Sequence, residues 1–309
     1  MKLVTFANEH DPERLGVLEG KRVIDLSAGM KRLGLDRNFP STLLGFLEGF
    51  ERNRRLVREN WSRLTAGEWV FDPAHVRLRP PLPFPRGFRD FYAFERHVRA
   101  IHEKSGKAIV PEWYEIPVFY FSNHNAMKGA EERIEFPPEC RSRDFELEVA
   151  AVVCREGKNI AVEEAENYLG GLMILNDWTD RDIQAKEVKV IGPAKSKDFA
   201  TSLGPWLVTL DELAGKRTEP GKYDLAMVAR VNGRQYSRGN LRDIYWSFCQ
   251  MLAFASRGTT VYPGEVLGSG TVGTGCILEL GAEKYGWLES GDIVELEVEG
   301  LGVLKNTIA

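Results

Sequence analysis

Three acidic residues alternate along the segment Asp144-Phe-Glu-Leu-Glu-Val-Ala-Ala-Val-Val153, which is predicted as a strand from residue 145. Because strand side chains alternate between faces, Glu146 and Glu148 share one face, and Asp144 joins them if the strand begins there. Beyond Glu148 the run is apolar on both faces, as in a buried strand. Neighbouring carboxylates near a core repel one another, and a divalent cation with oxygen ligands would relieve that repulsion. A solvated strand edge is the alternative.

A further carboxylate, Asp177, follows a predicted strand over 171–175 and precedes a predicted helix, for which Asp177 or Thr179 could be the N-cap. Asp177, Arg181 and Gln184 have the spacing i, i+4, i+7, which predicts one helical stripe. A carboxylate, a guanidinium and an amide at the end of a strand indicate a candidate site. A surface ion pair between Asp177 and Arg181 is the alternative.

His97 is the candidate general base. It ends the segment Asp90-Phe-Tyr-Ala-Phe-Glu-Arg-His97, in which Asp90 and His97 would share one helical face. Imidazole exchanges protons near neutral pH, although an isolated histidine is usually exposed or structural. Glu279 lies between apolar neighbours in a predicted strand over 277–280, so its carboxylate needs a partner, and His97 is a candidate.

Two irregular segments complete the candidate set. Lys197, in Lys195-Ser-Lys-Asp-Phe-Ala-Thr-Ser202, could neutralise an anionic substrate or a developing negative charge, with a solvated loop as the alternative. The glycine-rich segment 264–275 lacks the GxxxxGK[ST] pattern of a phosphate-binding loop. It is predicted to form a turn whose backbone amides approach a ligand. A phosphotransferase is therefore disfavoured.

Composition excludes several classes of protein. The chain has 309 residues with 43% apolar and 28% charged residues, enough for a folded core. Its formal net charge of -4 argues against a nucleic-acid partner. No apolar run of membrane-spanning length and no signal peptide is found, so we expect a cytoplasmic protein without a membrane partner. The four cysteines are scattered and are expected to be free thiols.

The elements that must position these residues form two predicted domains. A small N-terminal α+β domain over 1–78 has three strands and a helix that starts after Ser41-Thr42 and stops at Gly67. The proline-rich stretch 79–85 marks the boundary to a working domain over 79–309. That domain reads as mainly β, with strands near 145–153, 171–175, 206–209, 225–231, 277–280 and 293–298, a hairpin at Asn232-Gly233, and helices near 163–168, 180–188 and 241–255. This mixed, mainly β (α+β) pattern disfavours a regular βαβ fold.

Taken together and in order, these motifs resemble the fumarylacetoacetate hydrolase family over about 220 residues, from Asp90 to the C-terminus. The resemblance rests on six motifs: DF-Y with a histidine five residues on, ELE, NDW-x-x-RDIQ, K-x-F-x-T-S, GSGT and the late LEL. It implies a β-sandwich roll with a small SH3-like N-terminal domain, assembled as a homodimer. It also implies a small-molecule keto-acid substrate.

The resemblance assigns roles to twelve residues. It implies a site for Mg²⁺ or Ca²⁺, with Mn²⁺ as a further option, and all-oxygen ligation suits these hard cations. It implies a water-activating dyad, groups that stabilise negative charge, and groups that contact substrate. In that order the sets are Asp90, Glu146, Glu148 and Asp177 for the metal; His97 and Glu279 for the dyad; Arg181, Gln184 and Lys197 for the negative charge; and Tyr92, Tyr120 and Thr271 for the substrate.

The implied activity is metal-dependent hydrolysis of a carbon–carbon bond in a β-diketo acid of the fumarylacetoacetate or acylpyruvate type, in aromatic catabolism. Two positions differ from the fumarylacetoacetate hydrolase itself. Val188 stands where that enzyme has a tyrosine, and Gly106 stands where it has an arginine. The alternative is an isomerase or decarboxylase of a 2-hydroxy-dienedioate or of an oxaloacetate-type substrate on the same metal site. A non-catalytic cation- or ligand-binding protein is a rival from another class.

Overall fold

The computed structural model describes residues 1–8, 13–104 and 106–309. Its strands, numbered along the described chain, are β1 Lys2–Ala7, β2 Arg14–Glu19, β3 Arg22–Asp25, β4 Val70–Phe71, β5 Arg77–Leu78, β6 Gly87–Phe91, β7 Phe119–Phe121, β8 Met127–Lys128, β9 Arg133–Ile134, β10 Arg143–Asp144, β11 Leu147–Val153, β12 Gly157–Lys158, β13 Leu169–Asp177, β14 Thr179–Asp180, β15 Thr201–Thr209, β16 Arg217–Glu219, β17 Lys222–Tyr223, β18 Ala226–Val231, β19 Arg234–Asn240, β20 Thr260–Val261, β21 Glu265–Gly268, β22 Ile293–Val298 and β23 Gly302–Ile308.

The α-helices are short. They are α1 Leu26–Arg32, α2 Leu43–Glu48, α3 Phe50–Glu59, α4 Trp61–Leu64, α5 Glu95–Lys104, α6 Arg181–Glu187, α7 Phe248–Ala255, α8 Ile277–Leu280 and α9 Ala282–Tyr285. None of the described helices combines the length and the apolar character that a membrane span requires. Strands outnumber helices in the described part of the chain, so the predicted mixed, mainly β class is confirmed.

A large sheet carries the candidate site. Its strands are ordered β4-β3-β2-β1-β15-β13-β11-β21-β6-β7, with β5 paired to β1 and β8 to β15. A second sheet, ordered β19-β18-β22-β23-β9, packs against it. The largest apolar cluster draws on both sheets, and it includes Val149 and Ile174 from the large sheet and Met227 and Leu296 from the second. The second sheet covers one face of β11 and β13, and their other face, which includes Ala150 and Met173, packs in a separate apolar cluster, so both faces are apolar.

The N-terminal strands extend the large sheet. Strand β1 pairs antiparallel with β15, with Leu3 opposite Leu207. A second apolar cluster joins N-terminal residues such as Phe46 to Met173 and Val266 of the central strands. The first 78 residues thus share a sheet and a core with the remainder. The division at residue 78 and the SH3-like architecture stay predictions.

Three predicted helices differ from the structure. The helix predicted from residue 43 to Gly67 is broken into α2, α3 and α4, because the backbone leaves the helical conformation at Gly49 and Asn60. Thr42 does cap α2, accepting from the Gly45 amide at 3.2 Å. The helix near 163–168 is a 3₁₀ turn over Ala165–Tyr168. The helix predicted over 241–255 begins as a 3₁₀ turn and becomes α7 only at Phe248.

The predicted strand 277–280 is wrong, because these residues form the helix α8. Four residues with one polar position fit either period, so the alternation could not decide between strand and helix. The Asn232-Gly233 hairpin is confirmed. Strands β18 and β19 pair up to Val231 and Arg234, and both turn residues have positive φ, as a type I′ turn requires.

Candidate active site

Three carboxylates from neighbouring strands form the centre of the site. Asp90 lies on β6, Glu148 on β11 and Asp177 at the end of β13, and these strands are close together in the order β13-β11-β21-β6. All three residues are at most 1% exposed. One oxygen of each carboxylate lies within 4.8 Å of the other two. The strand order therefore brings together three of the four predicted metal ligands.

The chemistry of this carboxylate cluster fits a hard cation. Within the described residues, Asp90 Oδ1, Glu148 Oε2 and Asp177 Oδ1 are buried and have no hydrogen-bond partner. Burial, followed by repulsion from Asp177, raises the pKa of Asp90 well above its usual value. Burial, followed by repulsion from Asp90, raises the pKa of Glu148 in the same way. Buried anionic oxygens that lack donors are the ligands that Mg²⁺, Ca²⁺ and Mn²⁺ prefer.

Gly268 makes room for one of these carboxylates. Strand β21 pairs in parallel with β6, which places Gly268 opposite Asp90. A Cβ added at Gly268 would lie 2.2 Å from Asp90 Oδ1. Gly270 packs in the same way, since its Cβ would lie 2.3 Å from the Phe91 carbonyl oxygen. The glycines of the GSGT motif thus allow close packing against β6.

The Glu146 carboxylate pairs with two basic side chains, those of Lys197 and Arg181. Lys197 Nζ donates to its Oε2 at 2.6 Å, and Arg181 lies 2.7 Å from its Oε1. Burial alone would raise the pKa of Glu146, but the charges of Lys197 and Arg181 hold it below its usual value. The cluster of mutually close carboxylates does not include Glu146. Its place as a fourth metal ligand stays a prediction.

Lys197 lies between Glu146 and Asp177 and donates to both carboxylates. Burial would lower the pKa of this ammonium group, but the two carboxylates raise it above its usual value. The preceding turn is held by Glu187, which accepts from the backbone amides of residues 194, 195 and 196. The Lys197 ammonium group is therefore buried and held in place by its two carboxylate partners. The alternative, that Lys197 lies in a solvated loop, is wrong.

Two of the expected substrate contacts bind the carboxylates instead. The Tyr120 hydroxyl is 2.5 Å from Asp177 Oδ2 and 3.2 Å from Asp90 Oδ2. The Thr271 hydroxyl donates to Glu148 Oε1 at 3.3 Å. Both groups hold the carboxylate cluster in place. Their contact with substrate stays a prediction.

His97 and Glu279 form a buried pair, with His97 Nδ1 2.8 Å from Glu279 Oε2. A carboxylate can only accept, so Nδ1 carries the hydrogen and Nε2 is left as a proton acceptor. The Thr274 amide fixes the other oxygen, Glu279 Oε1, at 2.6 Å. The half-buried Tyr92 ring packs edge-on against the imidazole, with ring centroids 5.6 Å apart.

The pair lies beside the charged part of the site. A ring nitrogen of His97, a carboxylate oxygen of Glu146 and Cys276 Sγ are all within 4.8 Å of one another. The dyad, Glu146, Lys197 and the three-carboxylate cluster therefore form one continuous buried site. Arg181 and Gln184 extend it, because Arg181 donates to Gln184 Oε1 at 2.8 Å.

The helical stripe predicted for Asp177, Arg181 and Gln184 is wrong in one respect. Asp177 ends β13, and α6 begins only at Arg181, so Asp177 is not on the helix. Asp180 is the N-cap and accepts from the amides of residues 182 and 183. The predicted alternative of an ion pair between Asp177 and Arg181 is also replaced, since Asp177 pairs with Lys197.

Sequence reasoning missed three residues that shape the site: Asp144 as an anchor, Glu187 and Cys276. Asp144 had a signal, since it precedes the two glutamates on the acidic segment. It is fully buried and binds Arg181. Glu187 and Cys276 carried no signal in the sequence, because neither belongs to a motif that indicates a site.

The family model for the C-terminal domain of fumarylacetoacetate (FAA) hydrolase matches residues 86–309. This match covers well over half of the chain and contains every candidate site residue. The chain belongs to the fumarylacetoacetate hydrolase family.

Two named relatives differ in how much of the chain they cover. The fumarylacetoacetase of Arabidopsis thaliana is 32% identical over 242 residues, 62% of this chain. The chain spans 58% of that relative's length. The mitochondrial oxaloacetate tautomerase Fahd2a of Rattus norvegicus is 29% identical over 313 residues, which is 100% of this chain and 91% of the relative.

The fold is also found in solved structures. A maleylpyruvate hydrolase from Sphingobium sp. SYK-6, in complex with manganese (II) ion and pyruvate, has a TM-score of 0.73 at 21% identity. The match covers 100% of this chain and 99% of that one. Isomerases are among the other solved structures with this fold.

Proposed function

We propose that the protein is a metal-dependent hydrolase that cleaves a carbon–carbon bond in a β-diketo acid of the fumarylacetoacetate or acylpyruvate type. One observation carries the proposal: an oriented histidine–glutamate pair lies beside a buried cluster of carboxylates with unpartnered oxygens. A general base and a cation site side by side are what hydrolysis of a chelating keto acid requires.

Asp90, Glu148 and Asp177 would hold the cation, with Glu146 as the expected fourth ligand. When bound, a divalent cation would polarise a keto oxygen of the substrate as a Lewis acid. Mg²⁺ and Ca²⁺ are the proposed ions, and Mn²⁺ suits the same oxygen donors. The Mn²⁺ complex of the Sphingobium hydrolase is consistent with this set.

His97 would take a proton from water at Nε2, the nitrogen that the Glu279 carboxylate leaves free. Glu279 would keep the ring in one tautomer and stabilise the imidazolium that forms. The deprotonated water then attacks the carbonyl carbon. Both side chains are about 5% exposed, so the attacking water is separated from bulk solvent.

Cleavage of the carbon–carbon bond leaves an enolate-like group that carries negative charge, and the proton that His97 took from water would be returned to its carbon. Lys197 and Arg181 both contact Glu146, Arg181 also donates to Gln184, and these three groups would stabilise that charge. Because Lys197 and Arg181 are already held by carboxylates, they need little reorganisation during the reaction.

The deciding experiment is a substrate panel. Purified protein is incubated with fumarylacetoacetate, acylpyruvates and oxaloacetate, each with Mg²⁺, Mn²⁺ or Ca²⁺ and each with a chelator, and the products are identified. Metal-dependent formation of two shorter acids supports the hydrolase. A non-catalytic binding protein would turn over none of them.

A second candidate is an isomerase, tautomerase or decarboxylase of an oxaloacetate-type or 2-hydroxy-dienedioate substrate. It is favoured by coverage, since the rat oxaloacetate tautomerase aligns over the whole chain, whereas the Arabidopsis hydrolase aligns over 62%. Val188 and Gly106 are exposed and stand where the fumarylacetoacetate hydrolase itself has a tyrosine and an arginine, so the resemblance supplies neither side chain for binding a distal carboxylate. In the same panel, a product that keeps the carbon skeleton, or release of CO₂, would favour this candidate.

A role in aromatic catabolism, assembly as a homodimer and a cytoplasmic location complete the proposal. Gel filtration coupled to light scattering would test the dimer.

A further inference from the structure

We propose that Asp144 is a positioning residue that joins Arg181 to the helix carrying Glu279. Its carboxylate is fully buried and lies between α6 and α8. The kinetic part of this inference rests on the proposed function, whereas its structural part does not.

The contact with Arg181 fixes the guanidinium. Arg181 Nε donates to Asp144 Oδ2 at 2.8 Å, and a terminal nitrogen of the same group lies 2.7 Å from that oxygen. The remaining contacts of the guanidinium are with Glu146 and Gln184. The charge-assisted hydrogen bond from Nε, with the terminal nitrogen close to the same oxygen, holds the guanidinium in position.

The contact with α8 fixes the dyad carboxylate. The Ile277 amide donates to Asp144 Oδ1 at 2.8 Å, and the Leu278 amide donates to Oδ2 at 3.0 Å. Helix α8 has only four residues, and a helix of one turn is unstable without such external partners. Glu279 is the next residue along, so its position depends on this anchor.

Replacement by asparagine breaks the junction without changing the shape of the side chain. Oδ2 accepts from the guanidinium and from Leu278, while Oδ1 accepts from the amides of Phe145 and Ile277. An asparagine has one accepting oxygen and an amide nitrogen that only donates. One of the two sets of donors must therefore lose its acceptor.

Asp182→Asn is the matched control. Asp182 is a nearby aspartate that also accepts several hydrogen bonds, from the amides of residues 141 and 142 and from the Ser142 hydroxyl. Neither of its oxygens binds Arg181 or α8 in the described contacts. The control therefore removes a hydrogen-bonded aspartate of α6 but leaves the contacts of Arg181 and α8 with Asp144 in place.

The test is NMR of the whole chain, uniformly labelled with ¹⁵N. In Asp144→Asn, we expect the His97 ring resonances and the α8 amides to move, because each of the two sets of donors includes an amide of α8, with neither change in Asp182→Asn. Unchanged His97 resonances in Asp144→Asn would overturn the coupling. If this variant does not fold, Arg181→Gln should move the amide resonances of Ile277 and Leu278, and unmoved amides would likewise contradict the proposal.

Kinetics give the second measurement. On a substrate identified by the panel, Asp144→Asn is expected to lower kcat roughly 10- to 100-fold with little change in KM, because charge stabilisation and the dyad are both displaced. Asp182→Asn should retain wild-type kcat, and equal losses in the two variants would overturn the positioning role. If no compound is turned over, the proposed function fails, while the NMR result still decides the coupling.

Discussion

His97 Nδ1 lies 2.8 Å from Glu279 Oε2, and both side chains are buried. The two residues come from α5 and α8, which are far apart in the sequence, so their pairing is set by the fold. Because the carboxylate fixes one ring nitrogen, the other is free to accept a proton from water.

The dyad predicts a graded loss of turnover. His97→Ala should lower kcat by roughly 10²- to 10⁴-fold, since it removes the general base. Glu279→Gln should lower kcat less, by roughly 10- to 100-fold, because the base remains but its orientation is lost. The control is His102→Ala on the same helix, where the imidazole binds only the Val98 carbonyl oxygen among the described contacts. Steady-state kinetics measure all three, and full activity in His97→Ala would contradict the role.

The packing of Gly268 against Asp90 predicts a loss of metal affinity from a single methyl group. An added Cβ would lie 2.2 Å from Asp90 Oδ1, so Gly268→Ala must displace that carboxylate. We expect Mg²⁺ affinity to fall roughly 10- to 100-fold in calorimetry. The control is Gly215→Ala, where an added Cβ meets nothing within 4 Å. Equal affinities in the wild type and Gly268→Ala would place the metal elsewhere.

Substitutions at the two glutamates of the ELE segment test the carboxylate cluster and the proposed fourth ligand separately. Glu148→Gln removes a member of the carboxylate cluster and should abolish measurable metal binding, as should Asp177→Asn. Glu146→Gln tests the fourth ligand. The metal affinity of this variant should also fall, because Glu146 is the proposed fourth ligand. Unchanged affinity would mean that Glu146 binds only Lys197 and Arg181. Unchanged affinity in both Glu148→Gln and Asp177→Asn would remove the basis of the site.

The raised pKa values of Asp90 and Glu148 predict that metal binding releases protons. Burial, followed by repulsion from nearby carboxylates, keeps these groups protonated to higher pH than an ordinary carboxyl. A cation requires the charged form, so affinity should increase as pH rises above the range in which an ordinary carboxyl ionises. Calorimetry in buffers of different ionisation enthalpy measures the released protons. An affinity independent of both pH and buffer would contradict this prediction.

Local patterns predicted the parts of the site that lie within one segment. The change from alternating to continuous apolar residues marked β11 as a buried strand, and β13 followed from its own apolar run. The family resemblance then grouped residues from separate elements. Chemistry alone had indicated a carboxylate site, a candidate pair of His97 and Glu279, a candidate site at Asp177, Arg181 and Gln184, and Lys197 as a candidate cation, without placing them together.

The remaining features depend on contacts between distant segments. The four residues of α8 read as a strand because they are too few to define a period, and their helical form depends on Asp144. In the same way, the space that Gly268 leaves for Asp90 depends on the pairing of β21 with β6. The sequence of either segment alone contains neither relationship.

The most direct test of the account follows oxygen from water into product. An acylpyruvate is incubated with the protein and Mg²⁺ in H₂¹⁸O, and the products are analysed by mass spectrometry. We predict two shorter acids with ¹⁸O in the newly formed carboxylate, and loss of this product in the presence of EDTA and in His97→Ala. A product that retains the full carbon skeleton, or cleavage that persists without His97 or without metal, would contradict the account.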